Sequence, residues 1–469
     1  MASVITNKDI KRKTYVSTRN ACKLCAPLGA CIVFKGIEGC VPMVHGSQGC
    51  ATYIRRYVIS HYREPMDIAS SNFSEQTTVY GGSRNFITSI NNVIEQYHPK
   101  VMGIASTCLA ETIGEDIPSL IRAYQEDNKG KEDLPLFIHA STPSYSGSHI
   151  DGFHHTVCAA IATLSVEGKQ CEQINILPGF VSPADLRYLR EIVDDFTVDT
   201  VIFPDYSKSL DNVFTHEYQL IPSGGTPVKD ICRTGSAKAT IEFGVVFDKG
   251  TVRVRNTSHM LTAGEWLQKN RYVRNYQMPM PIGIEGSDQF MKLLSQLSGH
   301  PIPQKYEEER GRLVDAYVDA HKYVFGKRAM IFGEEDLVIS LLHFCKEIGI
   351  EPILIGSGGA SGSLRTEAFK IFPELEGTLK VMDNSDFETM REEAEIIHPD
   401  LLIGNSKGYY ISRSLKIPLV RVGFPIHDRF GGTRLHHIGY RGTQELFDRI
   451  VNALIEYKQE DSPIGYKYI

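Results

Sequence analysis

The sequence predicts an α/β protein of three Rossmann-like, doubly wound domains with mainly parallel sheets. Three observations carry that expectation. Short β-rich runs ending in small or turn residues are repeatedly followed by stretches with helical spacing, the pattern of βαβ units. Several of the runs are almost continuously apolar, as parallel strands are when helices cover both faces. The length, 469 residues, is well past the size at which one hydrophobic core keeps growing.

In chain order, the first clear strand is VMGIAST at 101–107, followed by the helical stretch LAETIGEDI. INILPGF (174–180) and TVIFPD (200–205) flank SPADLRYLREIVDDF (182–196). In that helix Leu186, Leu189, Ile192 and Val193 share a face, Ser182 is the cap and Pro183 takes the first turn. Residues 206–285 are rich in turns and weakly periodic, and no element is assigned there. The charged stretch YEEERGRLVDAYVDAHKYVFGKR (306–328) reads as a helix leading into a third set of strands. These are AMIFGEED (329–336), PILIGSG (352–358), LKVMDNS (379–385), LLIGNSKG (401–408) and PLVRVGFP (418–425). The helical EEDLVISLLHFCKEIGI (334–350) joins the first two. The expected domains are therefore 1–172, with the clustered cysteines, 173–325, and 326–469 with a C-terminal tail.

Composition removes several function classes. With 42% hydrophobic and 23% charged residues the chain is neither disordered nor a membrane protein by class. No run of about 18 apolar residues occurs. The net charge of -6, with no basic stripe, argues against a nucleic-acid partner. The N-terminus, MASVITNKDIKRKTY, lacks the apolar core of a signal peptide, so a cytoplasmic protein with reduced cysteines is expected.

Disulfides then explain the 10 cysteines poorly, and five of them fall between positions 22 and 50. The region runs Cys22-Lys-Leu-Cys25-Ala-Pro-Leu-Gly-Ala and continues to His45-Gly46-Ser47-Gln48-Gly49-Cys50. Thiolates are the standard ligands of iron–sulfur clusters, and Gly46 and Gly49 are small enough to let backbone amides reach bridging sulfides. Cys108 ends the strand at 101–107 and opens a helix. In doubly wound sheets that position faces the ligand crevice, and a helix N-terminus favours a negatively charged cluster. On the residues alone, a zinc half-site, a redox pair and simple buried thiols all remain open for these cysteines. The absence of a second CxxC weakens zinc.

Other motifs offer less. Gly356-Ser-Gly358-Gly-Ala-Ser361 departs from a dinucleotide fingerprint and reads better as a tight βα turn. No phosphate-binding G-x-x-x-x-G-K-[ST] run exists, so any ATP hydrolysis belongs to a partner. The pairs His154-His155 and His436-His437 lack metal-ligand spacing and are read as helix or surface histidines outside the site.

Several ordered phrases match one family. They are CAPLGA (25–30), VHGSQGCATYIRRYVISHYREP (44–65), VYGG (79–82), STCLAETIGEDI (106–117) and STPSYSGSHIDGF (141–153). Further matches are ILPGFVSPADLR (176–187), IGNSKG (403–408) and VRVGFPIHDRFG (420–431). On these the chain resembles the β-type chains of the nitrogenase component 1 family. The resemblance implies that Cys25, Cys50 and Cys108 ligate an iron–sulfur cluster at an α/β interface, either four-iron four-sulfur or the eight-iron P-cluster of catalytic members. It implies that Ser144 is an additional cluster ligand in some members, and that Tyr80 lies near the docking surface of an ATP-dependent reductase, the iron protein.

Three cysteines cannot supply every terminal ligand of either cluster. The resemblance therefore implies a homologous α-type partner in an α2β2 heterotetramer, with the iron–molybdenum cofactor or its precursor held in that partner. The family includes catalytic chains and chains of the scaffold on which the cofactor is matured. The runs 20–40 and 49–71, the tail 458–469 and the short segment before Cys25 look more like the scaffold type. Retention of all three cysteines together with Ser144 points to the catalytic chain. The expectation is the scaffold β-type subunit, with the catalytic molybdenum–iron β chain as the alternative and a nitrogenase-like reductase subunit as a third reading.

Overall fold

The computed structural model describes residues 20–131, 133–246 and 261–463. The N-terminal stretch read above for a signal peptide, the last residues of the tail and part of 206–285 lie outside the described residues. No helix among the described residues is long and apolar enough to cross a membrane.

Among the described residues three sheets are present, and every pairing between their strands is parallel. The first holds β1 (Cys40–His45), β2 (Ala69–Ser70), β3 (Val101–Ser106) and β4 (Leu136–Ala140) in the order β2-β1-β3-β4. The second holds β5 (Ile174–Leu177), β6 (Thr200–Ile202), β7 (Ala239–Phe243) and β8 (Arg274–Met278) in the order β6-β5-β7-β8. The third holds β9 (Arg328–Phe332), β10 (Glu351–Gly356), β11 (Lys380–Met382), β12 (Leu401–Gly404) and β13 (Leu419–Arg421) in the order β11-β10-β9-β12-β13. The α/β class read from the sequence is the class observed.

Central strands such as β1, β3, β5 and β12 are buried along their whole length, which is why β3, β5 and β12 read as nearly continuous apolar runs. Each sheet reverses its order once, between β1 and β3, β5 and β7, and β9 and β12. Such reversals open a crevice at the carboxyl ends of the two strands.

Helices begin where their caps place them. Pro183–Asp195 starts at Ser182, whose hydroxyl accepts the Asp185 amide while Asp185 accepts the Ser182 amide. Helix Ala26–Lys35 is buried throughout and crosses helix His149–Leu164 at backbone contact. A Cβ on Gly29 would stand 1.8 Å from the His149 carbonyl oxygen, and one on Gly152 would stand 2.0 Å from that of Ala26. Only glycine permits this approach.

The turn-rich 206–285 region contains β7, β8 and helix Ala263–Arg271. β7 was hidden by a charge in mid-strand, Glu242. That carboxylate is buried and accepts hydrogen bonds from the Thr262 hydroxyl (2.6 Å), the Gly264 amide (3.1 Å) and Asn275 Nδ2 (3.0 Å). β8 is an edge strand on which only Met278 is buried, so it carries no apolar signal.

The third sheet does not close on itself. The C-terminal helix Gly439–Asp461 returns to helices Gln304–Val324 and Gly283–Ser298. There the Tyr317 and Phe447 rings lie 4.8 Å apart and the Tyr440 hydroxyl donates to Asp288 Oδ1 at 2.7 Å. His437, expected on a helix or at the surface, is instead buried in the preceding loop, with Nδ1 2.8 Å from Asp185 Oδ2. A fully buried aspartate needs a partner, and the loop supplies one. The 356–361 segment is a tight βα turn, with Gly358 so close to the Cys22 carbonyl that a Cβ would clash at 2.3 Å.

Candidate metal centre

The site grows out of the reversal between β1 and β3. The two strands are in register from Cys40 opposite Val101 to His45 opposite Ser106, so the turns that follow them leave the sheet side by side. After β1 the chain makes the turn Gly46-Ser47 and enters helix Gln48–Tyr62, with Cys50 in its first turn. After β3, Thr107 caps helix Cys108–Ile113, and Cys108 is its first residue. The Thr107 hydroxyl donates to the His45 carbonyl at 3.0 Å, fastening the two turns together.

Cys25 arrives from elsewhere. Residues 20–22 run along the third sheet, where the Phe387 amide bonds the Asn20 carbonyl, Cys22 bonds Ser385, and Lys407 Nζ donates to the Ala21 carbonyl at 2.7 Å. The chain then turns onto the first domain. Cys25 pairs with Ser148 in an isolated bridge and is the N-cap of helix Ala26–Lys35. All three expected ligands thus stand at helix N-termini.

Ser144 joins two of them. Its amide donates to Cys108 Sγ at 3.2 Å, and its hydroxyl accepts the Ala26 amide at 3.2 Å. The turn that carries it is stitched to β3. The Ser106 hydroxyl accepts the Thr142 amide at 2.8 Å, the Thr142 hydroxyl donates to the Ser106 carbonyl at 2.8 Å, and Ser106 and Ser141 both donate to Glu111. Sequence reasoning missed Glu111, whose only signal is its place one helical turn after Cys108. Cys50 stands somewhat apart. Its sulfur accepts the Ser47 hydroxyl at 3.6 Å, so Ser47 turns to the sulfur and leaves its helix uncapped, and no hydrogen bond links Cys50 to the other three residues.

The residues fit an iron–sulfur cluster better than a single ion. Among the described residues no three His, Cys, Asp or Glu side chains converge on one metal position. The donors here are thiols spread along one rim, each near solvent: Cys25 is exposed, and Cys50 and Cys108 are partly exposed. A polynuclear cluster takes one thiolate per iron and so needs its ligands spread apart. Cys22, Cys31 and Cys40 are buried, and burial pushes each thiol up to about 12, which keeps it protonated.

The role given to Gly46 needs correction. Its amide is already donated to Ser71 Oγ at 2.8 Å, and a Cβ there would meet Thr107 Oγ1 at 2.2 Å, so its small size serves the fit of two turns. Gly49 is open, with nothing nearer to its Cβ position than Ser47 Oγ at 3.8 Å. Tyr80 ends helix Glu75–Tyr80 and is 87% exposed beside Val79. The next turn is tied to the cysteine region through Glu115, which accepts the Gly82 amide at 2.6 Å.

Residues 25–455 match the family of nitrogenase component 1 type oxidoreductases. The chain is 35% identical to the nitrogenase molybdenum-iron protein beta chain of Clostridium pasteurianum, over 93% of each chain. It is 32% identical to the protein of the same name from Methanothermobacter thermautotrophicus, over 95% of this chain and 96% of that one. The solved structure titled nitrogenase Cp1 at pH 6.5 superposes with a TM-score of 0.91 at 33% identity, over 98% of both chains. These names coincide with the catalytic alternative and lend no support to the scaffold preference drawn from the sequence. That preference rested on phrases around the cysteines and on a tail that lies partly outside the described residues, whereas the relatives match across nearly the whole length. The chain belongs to the nitrogenase component 1 family, as a β-type chain.

Proposed function

We propose that this chain is the β-type subunit of a catalytic molybdenum–iron protein and that Cys25, Cys50 and Cys108 are its ligands to an iron–sulfur cluster shared with a homologous α-type chain. One observation carries the reading: Ser144 holds the Cys108 sulfur and the backbone next to Cys25 at once. The relatives' names favour the catalytic chain over the scaffold chain, and with it the eight-iron cluster over the four-iron one. When bound, such a cluster accepts and passes on single electrons.

This chain's own contribution is to position and insulate. The Ser144 amide donates to the Cys108 sulfur, and the Ser144 hydroxyl, held at the Ala26 amide, is assigned as a further oxygen ligand. Exposure of Cys25 and of the rim around it fits a surface completed by the α-type chain in an α2β2 assembly, in which the partner holds the iron–molybdenum cofactor. Tyr80, exposed and tied through Glu115 to the helix that Cys108 opens, is assigned to the surface where the ATP-dependent iron protein docks. The assembly is placed in the cytoplasm, and the partition 1–172, 173–325 and 326–469 is proposed for its domains.

Anaerobic co-purification with the α-type partner tests this. About eight irons per interface, with acetylene reduction on addition of the iron protein, is the expected result. About four irons and no reduction would return the chain to the scaffold class.

A further inference from the structure

His149 is the first residue of helix His149–Leu164, and its imidazole is buried where all three sheets come together. Phe180, from the loop after β5, and Phe424, from the loop after β13, face it with ring centroids 6.0 and 5.8 Å away. Both ring nitrogens are engaged. Nδ1 accepts the Leu24 amide at 3.3 Å, and Nε2 lies 3.2 Å from Glu334 Oε1. A backbone N–H can only donate, so Nδ1 carries the lone pair and Nε2 the hydrogen, which goes to the carboxylate.

The Leu24 carbonyl in turn accepts the His149 amide at 3.0 Å, so the residue before Cys25 is gripped on both sides by one histidine. Glu334 is itself buried, in the loop after β9, at the point where the third sheet reverses. The side chains of His149 and Glu334 are only 5% and 6% exposed.

We propose that His149, oriented by Glu334, is a positioning residue for the metal centre: it fixes the backbone of Cys25 and so sets where that sulfur stands relative to Cys108. The tie makes the third domain part of the site without contributing a ligand. It rests on the reading of Cys25 as a ligand, and the two fail separately. If Cys25→Ala leaves the iron content of the heteromer unchanged, the ligand reading fails whatever His149 does.

His149→Phe keeps the ring's bulk and removes both bonds, while His149→Asn keeps an acceptor near Nδ1 and cuts the link to Glu334. The first readout is amide hydrogen exchange at Leu24, the donor to His149 Nδ1, and at the neighbouring Cys25, in the full-length chain without metal. The second is the reduction potential of the interface cluster in the heteromer. His149→Phe is expected to speed exchange at Leu24 about tenfold, the worth of one hydrogen bond, to speed it at Cys25 as well, and to shift the potential, with His149→Asn intermediate. Exchange at Leu24 and Cys25 and a potential all equal to those of the unsubstituted protein would overturn the proposal. Should His149→Phe fail to fold, His149→Asn decides: faster exchange with a shifted potential supports it, and no change in either refutes it.

Discussion

The backbone amide of Ser144 points at the sulfur of Cys108, 3.2 Å away, while the hydroxyl of the same serine receives the amide of Ala26. One residue therefore serves two cysteines through different atoms, and the two services are separable. Ser144→Ala leaves the amide in place and removes only the acceptor. Iron content is expected to hold, while the chain loses about 1 kcal/mol of stability and the Ala26 amide exchanges faster. Chemical denaturation and exchange mass spectrometry measure both.

Replacing a rim cysteine and replacing a buried one should have opposite signatures. Cys50→Ala is expected to empty or strongly deplete the interface cluster while barely changing the melting of the metal-free chain. Cys31→Ala, at a position with no exposed surface, should keep the iron and cost about 1 kcal/mol through the small cavity it leaves. Iron analysis beside thermal unfolding distinguishes them, and equal iron content in both variants would sink the assignment of Cys50.

Two glycines predict opposite stability effects. Gly152→Ala would drive a methyl to 2.0 Å from the Ala26 carbonyl oxygen and should cost about 3 kcal/mol or more, displacing the helix that Cys25 caps. Gly311 lies inside helix Gln304–Val324 with nothing within 4 Å of its Cβ position. Gly311→Ala should therefore stabilise by about 0.5–1 kcal/mol. Paired denaturation curves test the contrast.

Asp336 gives a pH dependence with a defined sign. Burial, reinforced by Glu242 and Asp151, raises its carboxyl from 3.8 to about 7, although the Val245 and Val246 amides donate to Oδ1. The folded chain then keeps a proton that the unfolded chain has lost, so this group's contribution to stability falls as pH rises from 3.8 to about 7 and stays low above that. Asp336→Asn retains an acceptor for the two amides and cannot ionise. Its melting temperature should exceed that of the unsubstituted chain at pH 8, and the gap should narrow as pH approaches 5. A constant gap would show that Asp336 is not the titrating group.

Tyr80→Ala tests the docking assignment. Reduction driven by the iron protein should fall severalfold, whereas iron content and reduction by a small chemical donor should be unchanged.

Much of this was legible in the sequence because burial on both faces forces a one-letter signal. Strands such as β3, β5 and β12 are continuous apolar runs, and Ser182 with Asp185 announces its helix. The failures have equally local causes. β7 carries a buried charge satisfied by Thr262, Gly264 and Asn275, residues distant enough in sequence that no periodicity records them. β8 is polar because it is an edge. His437 looked like a surface histidine because its partner, Asp185, is more than two hundred positions away. At the candidate metal centre the cysteines stood out by type and spacing. Their supports, Glu111, Thr107 and the His149–Glu334 pair, did not, because a hydrogen-bond partner is defined by the fold rather than by a motif.

The path of residues 20–25 across the third sheet has a consequence for any attempt to cut the molecule down. A fragment ending at residue 172 would contain every cysteine of the rim, yet it would lack Glu334, Lys407 and Ser385, the groups that tell the leading segment where to lie. Cys25 would be tethered there by the covalent chain, by Ser144 and Ser148, and by a His149 that Glu334 no longer orients. The position of that thiol is in this sense set by the last sheet as much as by the domain that carries it.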